Sequence, residues 1–229
     1  MPVFLLSDEI AFPQPHLATS HGLLAVGGDL SQRRLLLAYS LGIFPWYSDN
    51  EPIMWWSPDP RLVLYPREIR VSKSLKKVIR KGAFHITMDT AFVDVISSCA
   101  DIRTRNGEGT WIVEDMIEAY SMLHESGFAH SVEAWHEGKL AGGLYGVSIG
   151  RCFFGESMFT NVSNASKVAL VTLAEYLEAN SFDIIDCQVT TDHLIRFGAR
   201  EIPRADFLEQ LTTAIKGPIM RGKWRIDHG

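Results

Sequence analysis

The stretch Phe182-Asp-Ile-Ile-Asp-Cys-Gln-Val189 decides how the second half of this chain folds. Its β-branched and aromatic residues are typical of a strand. Strand alternation places the side chains of Asp186 and Gln188 on one face and that of Cys187 on the other. A carboxylate and a carboxamide on a half-buried strand need hydrogen-bonding partners. A polar substrate and the protein's own backbone groups are the two alternatives.

The segments before this strand predict an α+β fold with a mostly antiparallel sheet. Short glycine turns join three predicted strands, at residues 129–136, 139–149 and 151–160, into a meander. A helix over 167–179 follows. This layer resembles the N-acyltransferases that use acetyl-CoA. The loop at 161–166 lacks the glycine-rich pattern that cradles pyrophosphate in those enzymes, which speaks against coenzyme A, and we expect no cofactor.

Residues 1–62 differ in composition from the rest of the chain. Proline and glycine turns punctuate one clear helix, which Ser31 caps and Gly42 ends. We therefore predict a small N-terminal domain over 1–62 and a larger catalytic domain over 63–229. Trp46 lies close to two further tryptophans near proline turns, which indicates either a rigid aromatic surface or a contact between the domains.

The composition is that of a soluble globular protein, with 46% hydrophobic and 21% charged residues among 229. No apolar run approaches the roughly 20 residues that cross a bilayer, so we expect no membrane contact and a cytoplasmic location. The three cysteines form no C-x-x-C pair, and the histidines lack ligand spacing. We therefore predict neither disulfides nor a metal site, and we expect a monomer.

One short segment carries a local excess of positive charge, although the net charge of the chain is −5. Between Arg70 and Lys81 there are six cations and no anion. They are Arg70, Lys73, Lys76, Lys77, Arg80 and Lys81. Such a patch can meet a phosphate backbone. The alternative is that these cations form the solvated face of an amphipathic helix, and the two interpretations are compatible.

Seven motifs, spread over nearly the whole chain, resemble those of one bacterial enzyme family. They are Gly22-Leu-Leu-Ala-Val-Gly-Gly-Asp-Leu30, Gly42-Ile-Phe-Pro-Trp46, Met54-Trp-Trp-Ser-Pro-Asp-Pro-Arg61, Glu108-Gly-Thr-Trp111, Gly155-Glu-Ser-Met-Phe159, Asn164-Ala-Ser-Lys167 and Asp186-Cys-Gln188. In this order they are similar to the leucyl/phenylalanyl-tRNA–protein transferases. The resemblance implies an acetyltransferase-like (GNAT-like) C-terminal domain and an enzyme that tags proteins for N-end rule degradation.

The resemblance also implies roles for individual residues and identifies the partners. Asp186 and Gln188 would form the reaction centre, and Glu156, the third catalytic residue, would help to hold the aminoacyl group. Trp46 and Trp111 would flank the terminal adenosine of the tRNA. The apolar side-chain pocket maps onto Leu144, Phe153, Gly155, Ser157, Leu173, Leu177 and Ile185. Expected partners are tRNA charged with Leu, Phe or Met, and proteins that begin with Arg or Lys.

In the implied reaction, a peptide α-amine attacks the ester that joins the amino acid to its tRNA. An α-amine has an ordinary pKa of about 7.7–8.0, so a useful fraction is neutral near pH 7. Positioning can supply roughly 7–11 kcal/mol and should therefore outweigh general-base help of about 10²–10⁴-fold. We expect Gln188 to orient the amine, and Asp186 to polarise it or relay its proton, directly or through Gln188.

Three other functions compete with this one. The first is an N-acyltransferase with a thioester donor, and the second is a tRNA- or peptide-binding module without catalysis. The third is a thiol enzyme that uses Cys187 with His193, although alternation places Cys187 opposite Asp186.

Overall fold

The chain folds into two sheets and seven α-helices in the part that is described. The structure, a computed structural model, describes residues 3–105 and 112–226. The helices are α1 (Gln32–Ser40), α2 (Lys73–Arg80), α3 (Phe92–Arg105), α4 (Glu114–Glu125), α5 (Ala165–Ala179), α6 (Asp192–Arg196) and α7 (Arg204–Ala214). The strands are β1 (Phe4–Leu6), β2 (Leu23–Gly27), β3 (Phe44–Pro45), β4 (Met54–Trp56), β5 (Arg61–Leu64), β6 (His85–Met88), β7 (Ala129–His136), β8 (Lys139–Ile149), β9 (Cys152–Thr160), β10 (Ile184–Gln188) and β11 (Arg200–Ile202). Among these residues no helix is long and apolar enough to cross a bilayer.

The N-terminal segment contains a four-stranded sheet in the order β1-β2-β4-β3. The sequence predicted only helix α1 here, because strands of two to five residues are too short to show a periodic pattern. The helix itself is confirmed. The Ser31 hydroxyl accepts a hydrogen bond from the backbone N–H of Arg34 at 3.4 Å, and Gly42 follows the helix with a φ of 71°. Glycine adopts this left-handed conformation without steric cost.

The larger sheet has seven strands in the order β11-β5-β10-β9-β8-β7-β6. Five of its six neighbouring pairs are antiparallel, and β9 and β10 run parallel. The predicted meander of β7, β8 and β9 is confirmed. Its first turn has φ values of 51° at Glu137 and 73° at Gly138, as a two-residue hairpin requires.

Helices cover both faces of the larger sheet. Helices α3 and α4 share one buried apolar cluster with Tyr145, whereas α5 shares another with Leu144. Adjacent residues of β8 face opposite sides, so the sheet separates the two clusters. The α3 cluster also contains Leu24 and Trp55 of the small sheet. The N-terminal segment therefore packs on that face of the larger sheet.

The small sheet ends at Trp56, and the larger sheet begins at Arg61 with β5. The division into domains at residue 62 stays a prediction, because the α3 cluster contains residues from both sides of that position. The described part of the chain has a mixed α/β architecture. The finer expectation of an acetyltransferase-like C-terminal domain also stays a prediction.

Candidate active site

A cavity opens in the larger sheet at the point where its two parallel strands separate. Strands β9 and β10 are paired as far as Phe154 and Asp186. Beyond that point β9 continues to Thr160, while β10 ends at Gln188. Residues of both strands line the cavity, whose volume is about 590 Å³. This volume falls in the range of sites that hold small ligands.

Most of the cavity wall is apolar, and six of the seven predicted pocket residues line it. They are Leu144, Phe153, Gly155, Ser157, Leu173 and Ile185. The seventh, Leu177, is a correction: it is completely buried in the α5 cluster and does not line the cavity. Helix α5 lines the cavity with Ser166, Leu170 and Leu173. Leu177 lies one helical turn beyond Leu173.

Other lining residues were not assigned from the sequence. They include Phe44, Pro45, Tyr145, Met158, Phe159, Thr160, Ser166, Leu170, Val189 and Leu194. Leu170 precedes Leu173 by three positions on one helical face, so its place was readable from the helix period. Phe44 belongs to the small sheet, and no local pattern predicts that this segment reaches the cavity.

Asp186 lies outside the cavity, which corrects the expectation that it projects into the cleft beside Gln188. Its side chain is fully buried, and its two carboxylate oxygens accept hydrogen bonds from Arg61 Nε at 2.8 Å and Nη2 at 2.7 Å. Arg61 precedes Asp186 by 125 positions, so no local pattern in the sequence predicts this pair. Asp186 therefore contacts the cavity only through its neighbours.

Gln188 does reach the cavity, because the backbone turns at this residue. Its φ is 63°, and the pairing between β10 and β5 shifts register between Asp186 and Gln188. The backbone N–H of Gln188 donates a hydrogen bond to Asp186 Oδ1 at 3.0 Å, and its Nε2 donates to Glu156 Oε1 at 2.8 Å. Gln188 thus joins the buried ion pair to a carboxylate that lines the cavity.

Glu156 lines the cavity and receives hydrogen bonds from three different parts of the fold. Tyr39 of α1 donates its hydroxyl to Oε1 at 2.8 Å, and Tyr120 of α4 donates its hydroxyl to Oε2 at 3.2 Å. Gln188 is the third donor. The two tyrosine hydroxyls also contact each other. Neither tyrosine was predicted, because each comes from a helix far away in sequence.

The environment of Glu156 raises the pKa of its carboxyl group to about 7. Burial is the main cause, since it disfavours the charged form. The hydrogen bonds from Tyr39, Gln188 and Tyr120 lower this pKa, and the negative charge of Asp186 raises it. Glu156 therefore changes its protonation state near neutral pH.

Cys187 faces away from Asp186, as alternation predicted, but that side of β10 is the cavity side. Cys187 and His193 both line the cavity. Burial raises the pKa of the Cys187 thiol well above its usual range, so the thiolate that a thiol enzyme needs is disfavoured. Within residues 3–105 and 112–226, no group of three or more His, Cys, Asp or Glu side chains could hold a metal ion.

An exposed tryptophan stands at the edge of the cavity. Trp46 lines the cavity with 39% of its surface exposed, and its backbone carbonyl accepts a hydrogen bond from Trp56 Nε1 at 2.7 Å. Trp55 is buried instead and donates Nε1 to the carbonyl of Gly27. Trp111, the predicted second stacking residue, lies outside the described residues.

The predicted basic segment forms helix α2. Its N-cap residue, Ser72, accepts a hydrogen bond from the backbone N–H of Leu75, which is the buried residue of the helix. All six predicted cations have side chains that reach solvent. They are Arg70, Lys73, Lys76, Lys77, Arg80 and Lys81. The helix thus presents a positive surface to solvent while Leu75 packs in the buried cluster that contains α5.

Glu156 and Gln188 place a carboxylate and a carboxamide in the lining of a mostly apolar cavity. A mixed α/β fold with such a cavity is typical of an enzyme that handles an apolar acyl group. Sequence comparison then identifies the family. The profile described as "Leucyl/phenylalanyl-tRNA protein transferase" matches residues 63–212, and the profile for the N-terminal domain of the same transferase matches residues 28–59. The chain belongs to this family of aminoacyltransferases, which confirms the resemblance seen in its motifs.

Individual relatives match over the whole length of the chain. A leucyl/phenylalanyl-tRNA–protein transferase from Desulfatibacillum aliphaticivorans is 58% identical over 227 residues, which are 99% of this chain and 97% of the relative. One from Anaeromyxobacter sp. (strain Fw109-5) is 56% identical over 229 residues, which are 100% of this chain and 97% of the relative.

Solved structures are more distant. The DUF2156 domain of an Agrobacterium fabrum protein has 8% sequence identity and a TM-score of 0.42, over 90% of this chain and 67% of that one. A conserved protein of unknown function from Bacteroides thetaiotaomicron has 10% identity and the same TM-score, over 88% of this chain and 68% of that one. At these values the similarity does not decide the fold family.

Proposed function

We propose that the protein transfers Leu or Phe, and Met as a further donor, from aminoacyl-tRNA to the α-amino group of proteins that begin with Arg or Lys. Membership of the transferase family supports this reaction. The observation that carries it is the apolar cavity at the open end of β9 and β10, with Glu156 and Gln188 hydrogen-bonded to each other at its wall. In a cell, such a reaction would mark proteins in the cytoplasm for N-end rule degradation.

The cavity wall accounts for an apolar donor. Leu144, Phe153, Leu173 and Ile185 surround the space in which we place the side chain of the donor amino acid. An apolar pocket distinguishes ligands that differ by one methylene by only about 1–3 kcal/mol. A site of this kind accepts Leu, Phe and Met together and rejects charged side chains, because burying an unpaired charge is costly.

The tRNA is proposed to bind through its 3′ end and its backbone. Trp46 stands at the edge of the cavity with an exposed ring, and stacking of a base on a tryptophan is worth roughly 1–3 kcal/mol. We propose that Trp46 and Trp111 flank the terminal adenosine and stack on it. The cations of α2 reach solvent and are proposed to hold phosphates of the acceptor stem.

Glu156 and Gln188 are proposed to contact the reacting groups. Within the described residues, Glu156 is the one carboxylate that lines the cavity, so we place the α-ammonium of the aminoacyl group beside it. Gln188 then orients the incoming peptide amine. Asp186 is fully paired with Arg61 and lies outside the cavity, which favours a role through Gln188 over direct contact.

The reaction moves one proton overall. The amine nitrogen of the peptide forms a bond to the carbonyl carbon of the ester, the bond from that carbon to the ribose oxygen breaks, and the proton lost by the amine goes to the ribose oxygen. An α-amine with an ordinary pKa of about 7.7–8.0 needs little help to lose its proton near pH 7. Holding amine and ester together is therefore the main contribution that we assign to the site.

A transfer assay tests this function. Labelled leucyl-tRNA and a peptide that begins with Arg are expected to give a leucylated peptide. An acetylated copy of the peptide is the matched control and should give none. Acetyl transfer from acetyl-CoA without transfer from the tRNA would favour a thioester-dependent acyltransferase. Charged tRNA that binds without product in a single turnover would favour a non-catalytic binding module.

A further inference from the structure

A second residue, remote in sequence from the strand β10, determines where Gln188 lies. Arg61 begins β5, which pairs antiparallel with β10 and places Val63 opposite Asp186. The guanidinium group and the Asp186 carboxylate form two parallel hydrogen bonds, and both side chains are at most 1% exposed. This bidentate arrangement holds a carboxylate in one orientation, which a lysine ammonium group does not do.

The guanidinium group of Arg61 is also fixed by aromatic contacts. Its carbon lies 4.8 Å from the centre of the Phe44 ring and 4.7 Å from the centre of the Phe207 ring. Cations at these distances are attracted to aromatic rings. Phe44 lines the cavity, so the ion pair also supports one side of the cavity wall.

The ion pair fixes the backbone of Gln188. Asp186 Oδ1 accepts both the Nε–H of Arg61 and the backbone N–H of Gln188. Gln188 has a φ of 63°, and a residue other than glycine keeps this left-handed conformation only when its surroundings hold it. From that backbone its carboxamide reaches Glu156. Removal of the guanidinium group would free the carboxylate to rotate and would release this conformation.

We propose that Arg61 is a positioning residue of the transfer reaction. It acts through the Asp186 carboxylate, which holds the Gln188 backbone and so places the carboxamide beside Glu156. The inference rests on the proposed function, and it makes Asp186 and Arg61 one unit that touches no substrate.

A double-mutant cycle tests this unit. Arg61→Lys keeps the charge but removes the bidentate pairing, and it should lower the single-turnover rate by about 100-fold, because small displacements of positioned groups have effects of this size. In a Gln188→Ala background, the same change should lower the rate by less than about 3-fold, since the group that it positions is gone. An equal loss in both backgrounds, or no loss in the first, would overturn the inference.

A matched control separates positioning from general damage. Arg34 is also completely buried and is paired with Asp29 at 3.2 Å, and it does not line the cavity. Arg34→Lys should leave the rate within about 2-fold of the parent, because Arg34 shares no hydrogen-bond partner with Gln188 or Glu156 among the described contacts. If Arg61→Lys does not fold, the double variant Arg61→Met, Asp186→Leu takes its place, since apolar replacements of buried ion pairs are often neutral for stability. A folded double variant with the parent's rate would contradict the inference.

A second measurement distinguishes failure of this inference from failure of the proposed function. Hydrogen exchange of the backbone amide of Gln188 should be at least about 10-fold faster in Arg61→Lys than in the parent. The exchange rate of the Phe153 backbone amide should stay unchanged. Faster exchange without any transfer by the parent protein would refute the proposed function, and it would still show that Arg61 holds the Gln188 backbone. Transfer by the parent protein with unchanged Gln188 exchange in Arg61→Lys would refute the positioning role alone.

Discussion

Glu156 and Glu133 are both carboxylates of the larger sheet with three side-chain donors each, yet they lie in regions of different character. Glu133 is buried near the β6 edge, where the hydroxyls of Ser131, Thr87 and Thr90 donate to it. These donors come from β7 itself and from the adjoining β6 and its following turn. Glu156 lines a cavity, and its donors come from α1, α4 and β10.

Thr87 and Thr90 line a second cavity, but Glu133 is not among its lining residues. The difference therefore shows what direct lining of a cavity adds to a satisfied carboxylate. The Glu133 network is local and joins two neighbouring strands, as structural hydrogen bonds do. The Glu156 network joins distant elements at a surface that a ligand can reach. We therefore expect changes at Glu133 to act on stability and changes around Glu156 to act on the reaction.

Asp186→Asn is expected to have the greatest effect, because it leaves the buried charge of Arg61 without its partner. Loss of one member of a buried ion pair lowers the free energy of unfolding by about 3–5 kcal/mol. The single-turnover rate of the folded fraction should also fall far more than the affinity for tRNA. Urea denaturation, tRNA titration and single-turnover assays measure the three quantities. Equal losses of rate and affinity would refute a role of Asp186 in the transfer step.

The pair Glu156→Gln and Glu133→Gln compares the two regions directly. Hydrogen bonds to charged groups are worth about 1.5–3 kcal/mol, so Glu156→Gln should lower kcat/KM by roughly 10- to 150-fold. Glu133→Gln should leave kcat/KM unchanged and lower the free energy of unfolding by about 1–3 kcal/mol. Similar kinetic losses in both variants would mean that the cavity position of Glu156 has no special role.

The pH dependence of transfer should report the carboxyl group of Glu156. Its pKa is raised to about 7, and the proposed contact with an ammonium group requires the ionised form. The peptide amine must also be neutral, so the rate should fall about tenfold per pH unit from its pKa down to pH 7 and about a hundredfold per unit below pH 7. Glu156→Gln should keep only the tenfold fall that comes from the substrate amine, while Glu133→Gln keeps both contributions. If the transfer rate of Glu156→Gln falls at low pH as steeply as that of the parent, the whole fall comes from the substrate amine.

Stability should show the opposite trend with pH. Because the pKa of Glu156 is higher in the folded protein than in the unfolded chain, the folded state favours the protonated carboxyl group. The contribution of the Glu156 carboxyl group to the free energy of unfolding is fully present below the pKa that this group has in the unfolded chain. It is lost as the pH rises through about 7. Denaturation curves of the parent protein and of Glu156→Gln should therefore diverge between about pH 5 and pH 8, with the variant relatively more stable at the higher pH.

The weakest effect is expected in α2. Charge reversal at Lys76 and Lys77 should weaken tRNA binding and reduce the slope of log affinity against log salt by about 1 for each phosphate that is no longer neutralised. The single-turnover rate at saturating tRNA should not change. Charge reversal at Lys216 and Lys223, which also reach solvent, is the control, because it changes the net charge of the chain by the same amount. An unchanged salt slope would leave α2 as a solvated helix face.

Local patterns in the sequence were enough for many elements of the fold. The meander, α1 and β10 follow from side-chain periodicity, capping residues and glycine turns, all of which act over a few residues. Six of the seven predicted pocket residues line one cavity. Their assignment came from the resemblance of several long motifs to one family and not from periodicity.

Asp186 and Cys187 face opposite sides of a strand, and the order of residues was sufficient to establish this, because alternation follows from the backbone geometry of single residues. Tertiary contacts were needed to establish that the cavity opens on the Cys187 side, that Arg61 occupies the other side, and that Gln188 turns back toward Glu156. Those outcomes depend on residues up to 125 positions apart. No local pattern encodes them, since the burial of a face depends on what packs against it.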